Sequence, residues 1–443
     1  MKIKELAKDY TIVYKAQDPN RDFLYTPSIL VLKSGRYVLS MDIRDKYGKI
    51  LTSDDKGETW LLKAEASWFH ASLFVDGDRI YLLGCSTEQK EVSAARDLMV
   101  MYSDDGGDTW SGVSFLTQGE TWNHCATDVW YKDGYVYVPM DCTFNREGET
   151  VRSGWKPNVM APVLLRGKLG SDLTKRENWL FSEKVRFRDV ISEDAIEGIG
   201  VPFYRSMEEL GEGEEHGKTF WAHPASYRHA YDFENESGNL PFYFHGTGWL
   251  EANVVQITDP QHYWYDPAGK TLHLFMRANT HGSGYCCVMK AVERVVDGKE
   301  IISIECQRNP SGKRVIFLPM PGGQNKFFVK YDPVTRLYWL VSVQVRDSMR
   351  RIEYLSDDRY NVPSDERDRL ALHFSTNMVD WCFAGLVDQS GYDKQSRHYA
   401  SMDIDGEDLL IVSRSGDEDA HSAHDGNLIT FHRVKNFRDL VYE

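Results

Sequence analysis

One eight-residue pattern occurs twice in this chain, as Ser53-Asp54-Asp55-Lys56-Gly57-Glu58-Thr59-Trp60 and as Ser103-Asp104-Asp105-Gly106-Gly107-Asp108-Thr109-Trp110. Each copy follows a strand-like run, Lys49–Thr52 in the first case and Leu98–Tyr102 in the second. The shared form is Ser-x-Asp-x-Gly-x-Thr-Trp. A carboxylate two residues past a Ser can cap the backbone amides of a tight turn. The Gly supplies a positive φ, and the closing Trp covers the hairpin. Two copies of so specific a turn imply a fold built from repeated antiparallel hairpins.

The two segments resemble the Asp-box, or BNR repeat, of the sialidase-like β-propellers. The resemblance implies a single all-β propeller over residues 1–443, with these turns on the rim in a structural role. Hairpins recur along the whole chain, at Pro27–Asp42, His70–Cys85, Cys125–Asp141, Glu251–Arg277, Asn325–Val343 and Tyr399–Ser413. Each reads as the inner pair of strands of one blade. Degenerate box turns lie at Gly170–Trp179 and Ser375–Trp381, which keep the closing Trp and lose the Gly. The count is six blades, or seven if residues 185–249 hide another. That stretch is otherwise a long insertion over the pore face. The last hairpin has one good strand after it, Asn427–His432, so Tyr10–Lys15 is expected to complete the final blade and remove a sheet edge.

Composition excludes several classes. No apolar run approaches the ~20 residues of a membrane span. The charged start, Met1–Tyr10, lacks a secretory apolar segment, so the sequence as written reads as cytoplasmic, with a periplasmic or secreted location if a signal has been removed. The net charge of −15 argues against nucleic acid and anionic membranes as partners. The seven cysteines are odd in number and without a CxxC, which favours free buried thiols over disulfides or zinc. No cofactor is required. The one weak metal motif is His421, His424 and Asp425 in a loop-like stretch.

In a propeller the substrate face is built from the starts of the inner strands and the ends of the second strands. The starts supply Tyr25, His70, His124, Glu251, Arg397, His398 and Tyr399. The ends supply Asp42, Arg44, Asp141, Arg277, Arg346 and Arg414. His70 and His124 occupy equivalent places in neighbouring blades, and an imidazole there suits general acid–base work. Arginines gathered on one face suit a carboxylate, because the guanidinium fork is bidentate. His216, His223, His229 and His245, with Tyr227 and Arg228, give the insertion the makings of a lid.

True exo-sialidases carry Arg-Ile-Pro before the first inner strand, where this chain has Tyr25-Thr26-Pro27. Asp42-x-Arg44 does match the acidic-x-Arg end of the first hairpin in that family. The inventory of His, Tyr and Arg looks more like the propellers that degrade uronate-containing glycans, the ulvan lyases and the enzymes releasing rhamnose from glucuronate. The expected activity is therefore exo-cleavage of a terminal bond in an acidic oligo- or polysaccharide, by β-elimination or hydrolysis. In elimination Arg277 neutralises the carboxylate, His124 or His70 is the base and Tyr399 the acid. The alternatives are a glycosidase using a carboxylate pair drawn from Asp42, Asp141 and Glu251, and a glycan-binding propeller without catalysis.

Overall fold

The computed structural model describes residues 4–87, 96–144, 146, 157–192, 199, 201, 247–280, 284–346, 366–391 and 394–442. Six antiparallel sheets follow one another along these residues as the blades of a propeller. Blade 1 is Leu24–Val31, Tyr37–Ile43, Tyr47–Ser53 and Leu61–Ala66, and blade 2 is Trp68–Asp76, Arg79–Ser86, Leu98–Ser103 and Ser114–Phe115. Blade 3 has a broken inner strand. Thr121–Trp122 and Trp130–Lys132 both pair with Tyr135–Thr143, and Met160–Lys168 and Trp179–Phe181 complete the sheet. Blade 4 starts at Trp249–Val255 and Thr271–Ala278, blade 5 at Phe328–Asp332 and Leu337–Val343, and blade 6 at Ser396–Asp405 and Asp408–Gly416.

The ring closes as the sequence predicts. Thr11–Lys15 pairs antiparallel with Leu428–Val434 as the outer strand of blade 6. Leu6 and Ala7 also donate backbone bonds to Leu386 and Val387 of blade 5, so the N-terminal segment clasps two blades. Of the predicted insertion, residues 185–192, 199, 201 and 247–249 are described, and the rest lies outside the described residues, as do its four histidines, Tyr227 and Arg228. Phe187, in the short helix Phe187–Val190, packs edge-on against Trp249 of blade 4.

The apolar core is divided among the junctions between blades. Val38 and Ile50 of blade 1 pack on Trp68 and Leu82 of blade 2. Blades 2 and 3 meet through Phe74, Val136 and Trp179, blades 5 and 6 through Trp339, Met402 and Ile411, and blades 6 and 1 through Val412, Phe431 and Leu39. Each middle strand is therefore covered on both faces. That explains why Tyr37–Ile43 and Leu337–Val343 are buried at every position instead of alternating.

Both repeated turns form the predicted hydrogen-bond cage. Asp55 accepts from Thr59 N at 2.9 Å and Thr59 Oγ1 at 2.6 Å, and Gly57 N donates to Ser53 Oγ at 2.8 Å. Asp105 accepts from the same two groups of Thr109, and Trp60 and Trp110 each donate Nε1 to the carbonyl of the turn Gly. Gly57 has φ +89°, and a Cβ there would also collide with the Phe431 ring of blade 6. In the degenerate turn Asn377 replaces the Asp, accepting from Val379 N and Asp380 N.

Candidate active site

Four inner strands carry a bulge at the same place, and each bulge holds a non-glycine residue at positive φ: Thr26 (+30°), His70 (+51°), Glu251 (+58°) and Tyr399 (+47°). Left-handed backbone is unfavourable for such residues, and here it recurs at the matching place in four blades, which makes this ring of positions the candidate site. A bulge re-aims a side chain that the pleat would otherwise send into the blade junction. These four side chains, joined by Lys326 at the start of blade 5, are buried and form the floor of the candidate site.

Glu251 is the hub of that floor. Its carboxylate is 3.5 Å from Arg277 Nη1, and the same nitrogen donates to the Tyr399 hydroxyl at 2.8 Å. Arg277 Nε donates to Gln324 O at 2.9 Å, so the guanidinium ties blades 4, 5 and 6 together. Burial acts to protonate Glu251, but Arg277, the Cys125 thiol and Lys326 outweigh it and hold the carboxyl below its usual range. Lys326 Nζ donates to Ala400 O, and burial pushes its amine down to about 8 against the pull of Cys125 and Glu251. Burial and Glu251 push the Tyr399 phenol up to about 12, with Arg277 opposing.

A second group forms the wall toward blades 1 and 6. Arg414 lies over the ring of Tyr25 at 3.5 Å and over that of Tyr399 at 4.9 Å. Tyr25 donates its hydroxyl to Asp425 at 2.6 Å, and Asp425 also contacts His424 Nδ1 at 2.8 Å. Burial would raise the Asp425 carboxyl, but His424, Arg414 and Tyr25 hold it well below the usual range. Arg44 reaches Tyr25 Oη at 3.4 Å and Asp425 at 3.5 Å while keeping 42% of its side chain exposed. It is the accessible guanidinium of this wall.

The two histidines have different surroundings. His70 Nδ1 meets Thr26 Oγ1 at 2.5 Å, and its Nε2 has no partner among the described residues. Burial lowers the His70 pKa, with Asp42 opposing, so the ring is neutral at pH 7. His124 has both nitrogens engaged, Nδ1 with Asp141 at 3.0 Å and Nε2 with Thr127 Oγ1 at 3.1 Å, and its side chain is fully buried. The expectation of His124 as a base is corrected on that ground. Asp42 and Asp141 are buried too. Each accepts the backbone N–H of a bulge residue in the following blade, His70 at 3.2 Å and Glu251 at 2.7 Å. They brace bulges, which leaves Glu251, beside Arg277, and Asp425, beside Tyr25, as the carboxylates in contact with these groups among the described residues.

No protein-family model matches this sequence, and no curated protein matches it. Among solved structures, a Hadza microbial sialidase is similar over 96% of this chain and 68% of its own, at 13% identity and TM-score 0.50. The α-L-arabinofuranosidase of Fusarium graminearum is similar over 97% of this chain and 98% of its own, at 9% identity and TM-score 0.49. The intramolecular trans-sialidase of Ruminococcus gnavus is similar over 98% of both chains, at 12% identity and TM-score 0.48. At these identities the likeness is one of fold alone, a β-propeller, with six blades among the described residues.

The remaining predicted residues divide. His398 joins the site, with Arg367 Nη1 donating to its Nδ1 at 2.9 Å and its ring edge-on to Tyr399. Arg397, one residue earlier on the strand, points the other way. It binds Asp388 at 2.6 Å and covers the Tyr10 ring, a clasp for the N-terminal segment in place of the expected substrate contact. Arg346 pairs with Asp368 at 2.7 Å at the end of blade 5. The donors of the weak metal motif diverge: His421 packs on Phe23 while His424 turns to Asp425, and among the described residues no three His, Cys, Asp or Glu groups converge on a metal position. Sequence reading missed Thr26, Lys326, Cys125 and Arg367. Lys326 was within reach, because it begins the blade 5 hairpin at the position equivalent to the other four. Nothing local marks Arg367.

Proposed function

We propose that this chain is a carbohydrate-active enzyme that cleaves, from the chain end, the glycosidic bond beside a uronate in an acidic glycan. The observation that carries the reading is Arg414, buried between the Tyr25 and Tyr399 rings with exposed Arg44 beside it and neutral His70 next to Tyr25. A carboxylate placed against Arg44, with the buried Arg414 cation behind it, loses its charge repulsion, and the neighbouring C5 proton becomes more acidic. His70 Nε2 takes that proton, the C4–C5 double bond forms as the C4–O bond breaks, and the Tyr399 hydroxyl protonates the leaving oxygen. Arg277, committed to Glu251 and Tyr399, then holds the acid in place, where the sequence reading had given it the carboxylate.

A second mechanism for the same substrate class, hydrolysis, is favoured by one feature. Glu251 is kept ionised next to a tyrosine hydroxyl, an arrangement able to activate Tyr399 or a water. The carboxylate-pair mechanism loses support because Asp42 and Asp141 are buried in bracing roles.

Incubation with oligosaccharides in which the terminal sugar is linked to O4 of a uronate tests the reading. Elimination releases a product with the absorbance of an unsaturated uronate, and hydrolysis releases a saturated one. Binding to acidic glycans with neither product after long incubation rejects the enzyme and leaves a glycan-binding propeller.

A further inference from the structure

Glu251 stands at φ +58° in the inner strand of blade 4, a conformation that a strand residue does not hold unaided. Two hydrogen bonds from blade 3 seize the backbone on either side of it. Glu251 N donates to Asp141 Oδ2 at 2.7 Å, and the Thr127 hydroxyl donates to Ala252 O at 2.9 Å. One imidazole joins these two bonds. His124 Nδ1 is 3.0 Å from Asp141 Oδ2, and His124 Nε2 is 3.1 Å from Thr127 Oγ1.

Proton accounting closes the ring. Thr127 has one hydroxyl proton and spends it on Ala252 O, so it accepts from His124, and Nε2 carries hydrogen. The remaining contact, Nδ1 with Asp141, shares a single proton. Neither nitrogen is left for a substrate.

We propose that His124 is a positioning residue for Glu251: it aligns Asp141 and Thr127 so that together they hold the Glu251–Ala252 bulge and aim the Glu251 carboxylate at Arg277 and Tyr399. The inference rests on the reading of Glu251 as part of the site. The first hairpin offers a partial parallel, since Asp42 accepts His70 N without an imidazole clamp of this kind, and there the histidine is the residue presented rather than the one that grips.

The test uses the full chain with three variants. Thr127→Val removes one hydroxyl at constant volume, Thr127→Ser restores it, and His124→Phe removes both arms. Crystal structures of Thr127→Val and His124→Phe are expected to show Glu251 relaxed to negative φ and its carboxylate withdrawn from Arg277. On an acidic glycan, kcat of Thr127→Val should fall by roughly 100-fold with little change in KM, as for a small misplacement of a reacting group, and Thr127→Ser should recover it. If His124→Phe does not fold, Thr127→Val carries the structural readout alone. Glu251 unmoved in the variant crystals overturns the proposal whatever the activity. Glu251 displaced in a protein whose wild type cleaves no glycan upholds the clamp and rejects the functional reading instead.

Discussion

The guanidinium of Arg414 sits 3.5 Å above the Tyr25 ring and 4.9 Å from that of Tyr399, so one buried cation orders two tyrosines from different blades. Stacking of this kind needs a planar, weakly hydrated group, which lysine does not supply. The wall that results presents Arg44 as its exposed cation, while Arg277 lies deeper and is already committed.

That division predicts substrate selectivity. Arg44→Ala should lower turnover of an acidic glycan by roughly 10- to 100-fold, the worth of a charge-assisted hydrogen bond, and barely affect the carboxyl-reduced counterpart. Arg277→Ala should impair both substrates alike, because it disorders Glu251 and Tyr399. Kinetics on the paired substrates decide the matter, and an equal loss for Arg44→Ala would move carboxylate recognition elsewhere.

His70 is expected to be needed for turnover and dispensable for folding. Asparagine tolerates the left-handed backbone this position adopts. His70→Asn should therefore keep the wild-type melting temperature within a few degrees while kcat falls by about 10²- to 10⁴-fold. Retained turnover would exclude His70 as the base.

Lys326 makes stability depend on alkaline pH. Its amine binds a proton more weakly when folded, about 8, than at its ordinary 10.5. Between those values the unfolded chain holds more protons, so stability rises with pH there, and below about 8 the burial cost is present in full. Denaturant titrations from pH 7 to 11 should show this rise in the wild type and its absence in Lys326→Met.

The two box aspartates act in the opposite range. Hydrogen bonds from Thr59 and Thr109 hold Asp55 and Asp105 down to about 2. Their stabilisation is present above the ordinary carboxylate value near ~4 and is lost as pH falls toward about 2. Asp55→Ala and Asp105→Ala should lower the melting temperature at pH 7, lose that acid dependence, and leave the kinetic constants of the folded fraction unchanged. A selective loss of turnover at unchanged melting temperature would contradict a structural role.

Removal of residues 1–16 should be costly beyond an ordinary truncation. It strips Val13 and Ala7 from two blade junctions and exposes the edge of Leu428–Val434. Loss of Val13 burial alone is worth about 1.5–3 kcal/mol, so a clear drop in melting temperature with aggregation is expected. A soluble truncate with unchanged melting would show that the ring closes without this strand.

Local sequence determined the hairpins, their box turns, the all-β class and the closing strand, because turn chemistry and apolar runs act over a few neighbouring residues and repeat in every blade. It also singled out His70, His124, Glu251 and Tyr399, because each lies at the start of an inner strand. How each of these is partnered was decided only by tertiary structure. His70 and His124 look equivalent along the chain, yet Thr127 and Asp141 close both nitrogens of His124, while one nitrogen of His70 stays open. Arg397 and His398 are adjacent, yet the strand sends one toward Asp388 and the other to Tyr399. A side chain's role here depends on partners contributed by other blades, tens to hundreds of residues away, and no local pattern encodes those meetings.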